Sequence, residues 1–317
     1  MDARNVFAAI EAGGTKFMCA VGTGPLEILA ETRIPTTSPE ETLGAVQRFF
    51  LDAQIRFGAI KALGIGTFGP VDLDPRSPTW GHLLATPKPG WADADLVGAI
   101  RQTFACPIAI DTDVNAAALA EQRLGAGRGV RSVVYVTVGT GIGGGVAVDD
   151  AALPGFLHPE MGHLRVRRDP RDAAFAGICP FHGDCLEGLA SGPAIQARWG
   201  SPLDQLDDAL GAQSIIGGYL GELAAAIALL FSAGRVVFGG GVMSCEGLLP
   251  IVRSSMARLL NGYLPLKRAA PSLDEYIVAP GLGTRSGIAG SMLLGMRADA
   301  AAKRSIPRGE RSIQSIP

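Results

Sequence analysis

Residues 179–188 read CPFHGDCLEG, which spaces Cys179, His182 and Cys185 three residues apart and puts Glu187 two positions further on. Thiolate, imidazole and thiolate in one short loop supply three of the four N/S ligands that a closed structural zinc site takes. A fourth would have to come from His82, His158, His163 or one of the three other cysteines. A Cys179–Cys185 disulfide is the competing use of the loop. Five cysteines, an odd number in a chain of this size, fit reduced thiols better than a disulfide framework. A second candidate lies in IAIDTDVNAAALAE (108–121), a strand-like run ending in Asp111, Thr112 and Asp113 ahead of a helix that begins near Val114. An acid where a strand ends and a helix starts stands where α/β sheets place ligands. A carboxylate there can orient a hydroxyl and take its proton. The plain alternative for Asp113 is a helix N-cap.

Three glycine runs suggest what else the chain binds. VFAAIEAGGTKFMCAVGTG (6–24) and SVVYVTVGTGIGGGVAVDD (132–150) each set two apolar runs around a glycine turn, the pattern of a hairpin. Backbone without Cβ can approach an anion closely and aim successive N–H groups at it. Two such turns facing each other, Gly13, Gly14, Thr15 and Lys16 opposite Gly139, Thr140 and Gly141, would hold a polyphosphate from both sides. The third run, Gly239–Gly241, follows a buried-looking strand (235–242) and offers bare backbone to a nucleoside. GTGIGG also fits the dinucleotide fingerprint, but strand-like GVAVDD follows where that motif needs a helix. No GxxxxGK[ST] loop is present.

These groups need elements to position them. After the first hairpin the pattern predicts a strand at 28–33, a helix at about 40–57 with Leu43, Val46, Phe50 and Ile55 on its apolar face, and a strand at 62–66. After the second hairpin come helices and the 235–242 strand, so the chain reads as two related α/β lobes. Its 317 residues are 47% apolar, enough for about two domains, and a net charge of −2 gives no footprint for nucleic acid or an anionic membrane. The most apolar helical run, 223–231, is shorter than the roughly 20 residues a bilayer requires. With no leader-like N-terminus, the expectation is a soluble, cytoplasmic protein. The polar stretch 301–317 reads as a disordered tail.

In this order, EAGGTK (11–16), GTGIGGG (139–145) and FGGGV (238–242) resemble the phosphate and adenosine motifs of the sugar-kinase/actin/Hsp70 superfamily. With PEMGH (159–163) and the Cys/His loop, the chain from about 6 to 297 resembles a ROK-family sugar kinase. GTFGPVDLD (66–74), TPKPGW (86–91) and CPFHGDCLEGLASGPAI (179–195) resemble its bacterial fructokinase branch. The resemblance implies two RNase H-like, actin-like ATPase lobes flanking a cleft, each a mixed sheet covered by helices, plus a zinc-bound loop. The lobes would be 1–112, completed by a helix at 284–298, and 113–283, with the zinc loop at 158–187.

The implied reaction is transfer of the ATP γ-phosphoryl group to the 6-hydroxyl of a hexose, D-fructose first, with mannose, glucose or an N-acylated hexosamine as alternatives. A non-catalytic sugar-sensing regulator is the alternative of another class; it would carry an added DNA-binding helix-turn-helix, whereas this chain begins at its first strand. Asp113 matches the family's catalytic base, and Glu160, His163 and Glu187 match its sugar contacts. Thr112 stands where the family commonly has a sugar-binding Asn, and Glu11 where the superfamily commonly has the Asp that organises hydrated Mg²⁺. The resemblance selects His163 as the fourth zinc ligand, one ring nitrogen on structural Zn²⁺ and the other free for a sugar hydroxyl. It implies a homodimer whose partners are sugar and nucleotide, without nucleic acid or membrane.

Overall fold

The first apolar run forms β1 (Val6–Ala12), buried along nearly its whole length because helices cover both of its faces. In the computed structural model, which describes residues 5–206 and 209–305, β2 (Lys16–Gly24) and β3 (Glu27–Pro35) continue it as an antiparallel meander. After α1 (Pro39–Phe57), β4 (Ile60–Thr67) returns parallel to β1. After α2 (Leu96–Arg101), β5 (Ile108–Thr112) pairs parallel to β4, completing a sheet ordered β3-β2-β1-β4-β5. Alternation sorts the β1 side chains: Val6, Ala8 and Ile10 pack with α1, while Phe7 and Ala9 pack with Ile288 and Met292 of the last helix (Ser286–Ser305).

The α1 N-terminus has a hydroxyl cap, Ser38 Oγ accepting from Glu41 N at 3.3 Å, with Pro39 and two acids in the first turn. Its buried stripe is Leu43, Val46, Phe50 and Ala53. Ile55, assigned to that stripe from the sequence, is 85% exposed; five residues beyond Phe50 is roughly 140° around a helix of 3.6 residues per turn.

The second half repeats the path. After α3 (Asp113–Leu124) come β6 (Ser132–Val138), β7 (Ile142–Val148) and β8 (Ala151–Ala152) as a second meander. Then follow α4 (Leu186–Ala190), α5 (Gly192–Trp199), α6 (Ala209–Phe231), β9 (Arg235–Gly239), α7 (Leu248–Leu260), α8 (Leu273–Tyr276), β10 (Ile277–Val278) and α9 (Ser286–Ser305). The sheet order is β10-β9-β6-β7-β8, with β9 parallel to β6 and to β10, so each strand has a counterpart of the same direction in the first sheet. β9 stops at Gly239, and a 3-10 turn (Gly241–Ser244) replaces the end of the strand expected over 235–242.

α3 crosses between the halves, packing on β6, β7 and α9. Its contact with β7 is so close that a Cβ on Gly145 would lie 2.1 Å from Val114 O. The rear of the GTGIGGG run therefore serves helix–strand packing, and its front forms the turn. α6 and α7 cover the opposite face of the second sheet.

Two expectations from the sequence change here. The apolar run 223–231 is the end of a longer helix whose Gly211–Phe231 segment, with mean hydropathy 1.8, is long and apolar enough to cross a membrane. Here it serves as a core helix, with Ile216, Leu220, Leu223 and Ile227 buried in the second lobe's core. Residues 301–305, expected in a disordered tail, are the last turn of α9. The run ADAAAK (298–303) is rich in good helix formers, and Lys303 Nζ reaches Asp299 Oδ2 at 2.6 Å, four residues back. The rest of that expected tail, 306–317, lies outside the described residues.

Candidate active site

Between the two sheets lies a cleft of about 1020 Å³, with the two glycine turns facing into it. Each turn is closed by its own backbone, Gly13 N donating to Lys16 O and Gly139 N to Gly141 O, both at 2.9 Å. Gly13, Gly14, Thr15, Lys16, Gly139, Thr140 and Gly141 all line the cleft. Gly239, Gly240 and Gly241 are not part of its lining; Gly240, at φ 94°, packs against Val138 beside the second turn.

Asp113 is the first residue of α3 and lies on the cleft wall. It is not the helix cap. That role belongs to Thr112, whose Oγ1 accepts from Asn115 N at 3.1 Å. Thr112 is 2% exposed and absent from the cleft lining, so the hydroxyl expected to touch sugar is spent on the helix. Asp113 Oδ1 accepts from Val114 N at 2.9 Å. Burial, then the charge of Glu11 and to a lesser degree that of Glu160, push the Asp113 carboxyl up to about 7. Burial also raises Glu11, opposed by the Lys16 ammonium and the Ile288 N–H. Two carboxylates that repel each other on the cleft wall form a donor set suited to a hydrated divalent cation.

Glu160 and Glu187 also line the cleft. Desolvation and the charge of Glu187 hold Glu160 up to about 7. Glu187, in the first turn of α4, has Oε2 2.9 Å from Ile142 N, the first residue of β7 after the second glycine turn.

The loop before α4 folds onto the short turn at Met161–His163 and brings His163, Cys179, His182 and Cys185 together, with ligand atoms all within 4.8 Å of one another. His163 Nδ1 lies 3.3 Å from His182 Nδ1, 3.4 Å from Cys185 Sγ and 3.8 Å from Cys179 Sγ, and His182 Nδ1 is 3.7 Å from Cys179 Sγ. These four separations are close to the edges of a tetrahedron with arms of about 2.0–2.1 Å to nitrogen and about 2.3 Å to sulfur, the distances zinc takes. Two imidazole nitrogens and two sulfurs converging on one point fit that ion. Since Nδ1 of His163 faces the cluster and the residue also lines the cleft, one ring belongs to both. Ion pairs from Arg165 and from Arg168 (3.7 Å) to Asp184 brace the loop.

Sequence reasoning missed part of the lining. Phe68, Gly69 and Pro70 after β4, Thr86 to Pro89, and Pro180 and Phe181 of the Cys/His loop all face the cleft. All of them fall in stretches singled out for resemblance, where no residue pattern by itself signals a contact.

Two five-stranded sheets of one path, each covered by helices and meeting at a cleft with paired glycine turns, define the actin-like ATPase fold. The chain belongs to the ROK family, whose signature matches residues 7–298. It is 44% identical to the fructokinase of Zymomonas mobilis over 93% of this chain and 98% of that one. A ROK hexokinase from Thermus thermophilus superposes with a TM-score of 0.75 at 27% identity, covering 94% of this chain and 99% of that one. A ROK family glucokinase from Streptomyces griseus, solved in complex with glucose and AMPPNP, gives 0.73 at 25% identity, covering 92% and 100%.

Proposed function

We propose that the chain is an ATP-dependent hexose kinase that phosphorylates the 6-hydroxyl of D-fructose to give D-fructose 6-phosphate. The observation that carries this reading is Asp113, a carboxyl raised to about 7 on the wall of a cleft flanked by two glycine turns. A base with that pKa is half ionised at neutral pH and is suited to accept a hydroxyl proton as phosphoryl transfer proceeds. The fructokinase of Z. mobilis supports the choice of sugar, and the AMPPNP-bound glucokinase of S. griseus the choice of nucleotide.

In this mechanism the N–H groups of the two turns hold the phosphates and Lys16 offsets their charge. Asp113 orients the 6-hydroxyl and takes its proton, while Glu160, His163 and Glu187 accept from or donate to the other hydroxyls. Gly239–Gly241, whose Gly240 packs against Val138 next to the second turn, is assigned to the adenosine. Bound Mg²⁺ would spread charge on the γ-phosphoryl group, with Glu11 as the protein group that orders its water shell. Zn²⁺ held by His163, Cys179, His182 and Cys185 would be structural. The lobes are taken as 1–112 with α9 and 113–283 with the loop 158–187. The reading includes a cytoplasmic homodimer, for which exposed Leu229, Leu230 and Phe156 offer apolar surface; sedimentation equilibrium measures the assembly.

The test is a hexose panel with ATP and Mg²⁺, with the product's phosphate position assigned by NMR. Fructose is expected to give the highest kcat/KM and a 6-phosphate. Much faster turnover of glucose or N-acetylmannosamine would replace the substrate, and ATP and sugar binding without turnover would favour a sensor.

A further inference from the structure

His158 is 8% exposed and belongs neither to the cleft lining nor to the metal cluster. Its ring is wedged between loops from the two halves of the molecule. Nε2 accepts from Val71 N at 3.2 Å, across 87 residues of chain, and Nδ1 lies 3.4 Å from Glu160 Oε1. A ring nitrogen that accepts carries no hydrogen, so the single proton of the neutral ring sits on Nδ1, the nitrogen that lies beside the Glu160 carboxylate. Burial lowers the pKa of His158 and favours this neutral form. The loop after β4 reaches the ring only because residue 69 is glycine: a Cβ there would lie 2.8 Å from Cε1 and 3.1 Å from Nε2. Phe68, Gly69 and Pro70 line the cleft from the first half, and Glu160 lines it from the second.

We infer that His158 is a positioning residue: one ring fixes the 69–71 loop through Nε2 and the Glu160 carboxylate through Nδ1, setting the spacing across which a sugar is gripped. This rests on the kinase reading for what the cleft holds. His158 touches neither substrate nor reacting atoms and acts through Glu160 and the loop. Carboxylates accept from many hydroxyl arrangements, so a fixed donor and a fixed opposite wall are what make one arrangement fit best.

Two substitutions divide the role. His158→Asn keeps a donor near the Nδ1 position for Glu160 but has no atom that reaches Val71 N. His158→Gln keeps an acceptor near the Nε2 position for Val71 and gives up the contact with Glu160. Each loses one of the ring's two polar contacts, so each is expected to raise the fructose KM about five- to tenfold while leaving the ATP KM within about twofold. In the Gln variant, adding Glu160→Gln should raise the fructose KM less than it does in wild type, because the two residues act as a unit. Hydrogen exchange at the Val71 amide should quicken in His158→Asn and stay as in wild type in His158→Gln. An unchanged fructose KM in both variants, or an ATP KM rising in step, would overturn the positioning role. Wild-type protein that phosphorylates no hexose would sink the kinase reading alone; unchanged Val71 protection in His158→Asn would then overturn the strut. If the Asn variant fails to fold, the Gln variant carries the KM test.

Discussion

Glu187 Oε2 accepts a hydrogen bond from Ile142 N at 2.9 Å, so an acid two residues beyond Cys185 of the Cys/His cluster rests on the second glycine turn. A Cβ on Gly141 would lie 2.7 Å from the same oxygen, which shows how closely the carboxylate presses on the turn. The proposed sugar and phosphate sites therefore share a side chain. Glu187→Ala leaves Ile142 N without its partner, and both the sugar KM and the ATP KM are expected to rise, each about tenfold. Glu187→Gln still offers a carbonyl to Ile142 N, so its ATP KM should stay near wild type while the sugar KM rises. Steady-state kinetics with each substrate varied in turn separates the two outcomes, and equal behaviour of Ala and Gln would remove the coupling.

Asp113→Asn preserves shape but cannot take a proton. A kcat loss of roughly 10²–10⁴-fold is expected, with nucleotide and sugar affinity retained. Near-normal turnover would move the base elsewhere. In wild type, kcat should rise with pH through about 7 as Asp113 ionises.

The same shift has a stability consequence. Asp113 and Glu160 are raised from ordinary values of 3.8 and 4.5 to about 7, so between those limits the folded chain holds more protons than the unfolded one. Stability contributed by these groups is present at low pH and is lost as pH rises through about 7. The substrate-free protein should melt lower at pH 8 than at pH 6. Asp113→Asn should narrow that gap by raising the pH 8 melting temperature, as differential scanning calorimetry would record.

Sequence reasoning reached the elements that periodicity and turns announce. Both hairpins, the α1 stripe through Phe50 and the Asp113 junction follow from alternation, helical spacing and glycine placement. It failed where burial of one particular atom decides the matter. Thr112 beside Asp113 looks like a ligand in the linear chain, but the path of β5 into α3 turns its hydroxyl onto Asn115 N. His158 gives no linear sign that its ring meets Val71, 87 residues away. Phe68 and Lys88 face the cleft because of how loops lie across it, which no local pattern encodes.

Thr112→Ala tests the reassigned threonine. Loss of an N-cap costs about 1 kcal/mol, so the melting temperature should fall while the fructose KM stays within about twofold of wild type. A raised fructose KM with unchanged melting temperature would restore the threonine as a sugar contact.

The Cys/His cluster makes a prediction that joins folding to affinity. His163 contributes Nδ1 to the cluster and lines the cleft, and Cys185 immediately precedes α4, which carries Glu187. Cys185→Ser removes a thiolate without changing loop length. Because structural zinc contributes folding free energy, the variant should bind less metal and melt lower. Because His163 and Glu187 would lose their support together, its sugar KM should rise more than about tenfold, and its ATP KM by no more than the roughly tenfold expected of Glu187→Ala. Elemental analysis of wild type should give about one zinc per chain, the capacity of a single four-ligand cage. Metal-free wild type with full activity would remove zinc from the account. A zinc-depleted Cys185→Ser variant with wild-type sugar affinity would leave zinc in place and break its link to the sugar.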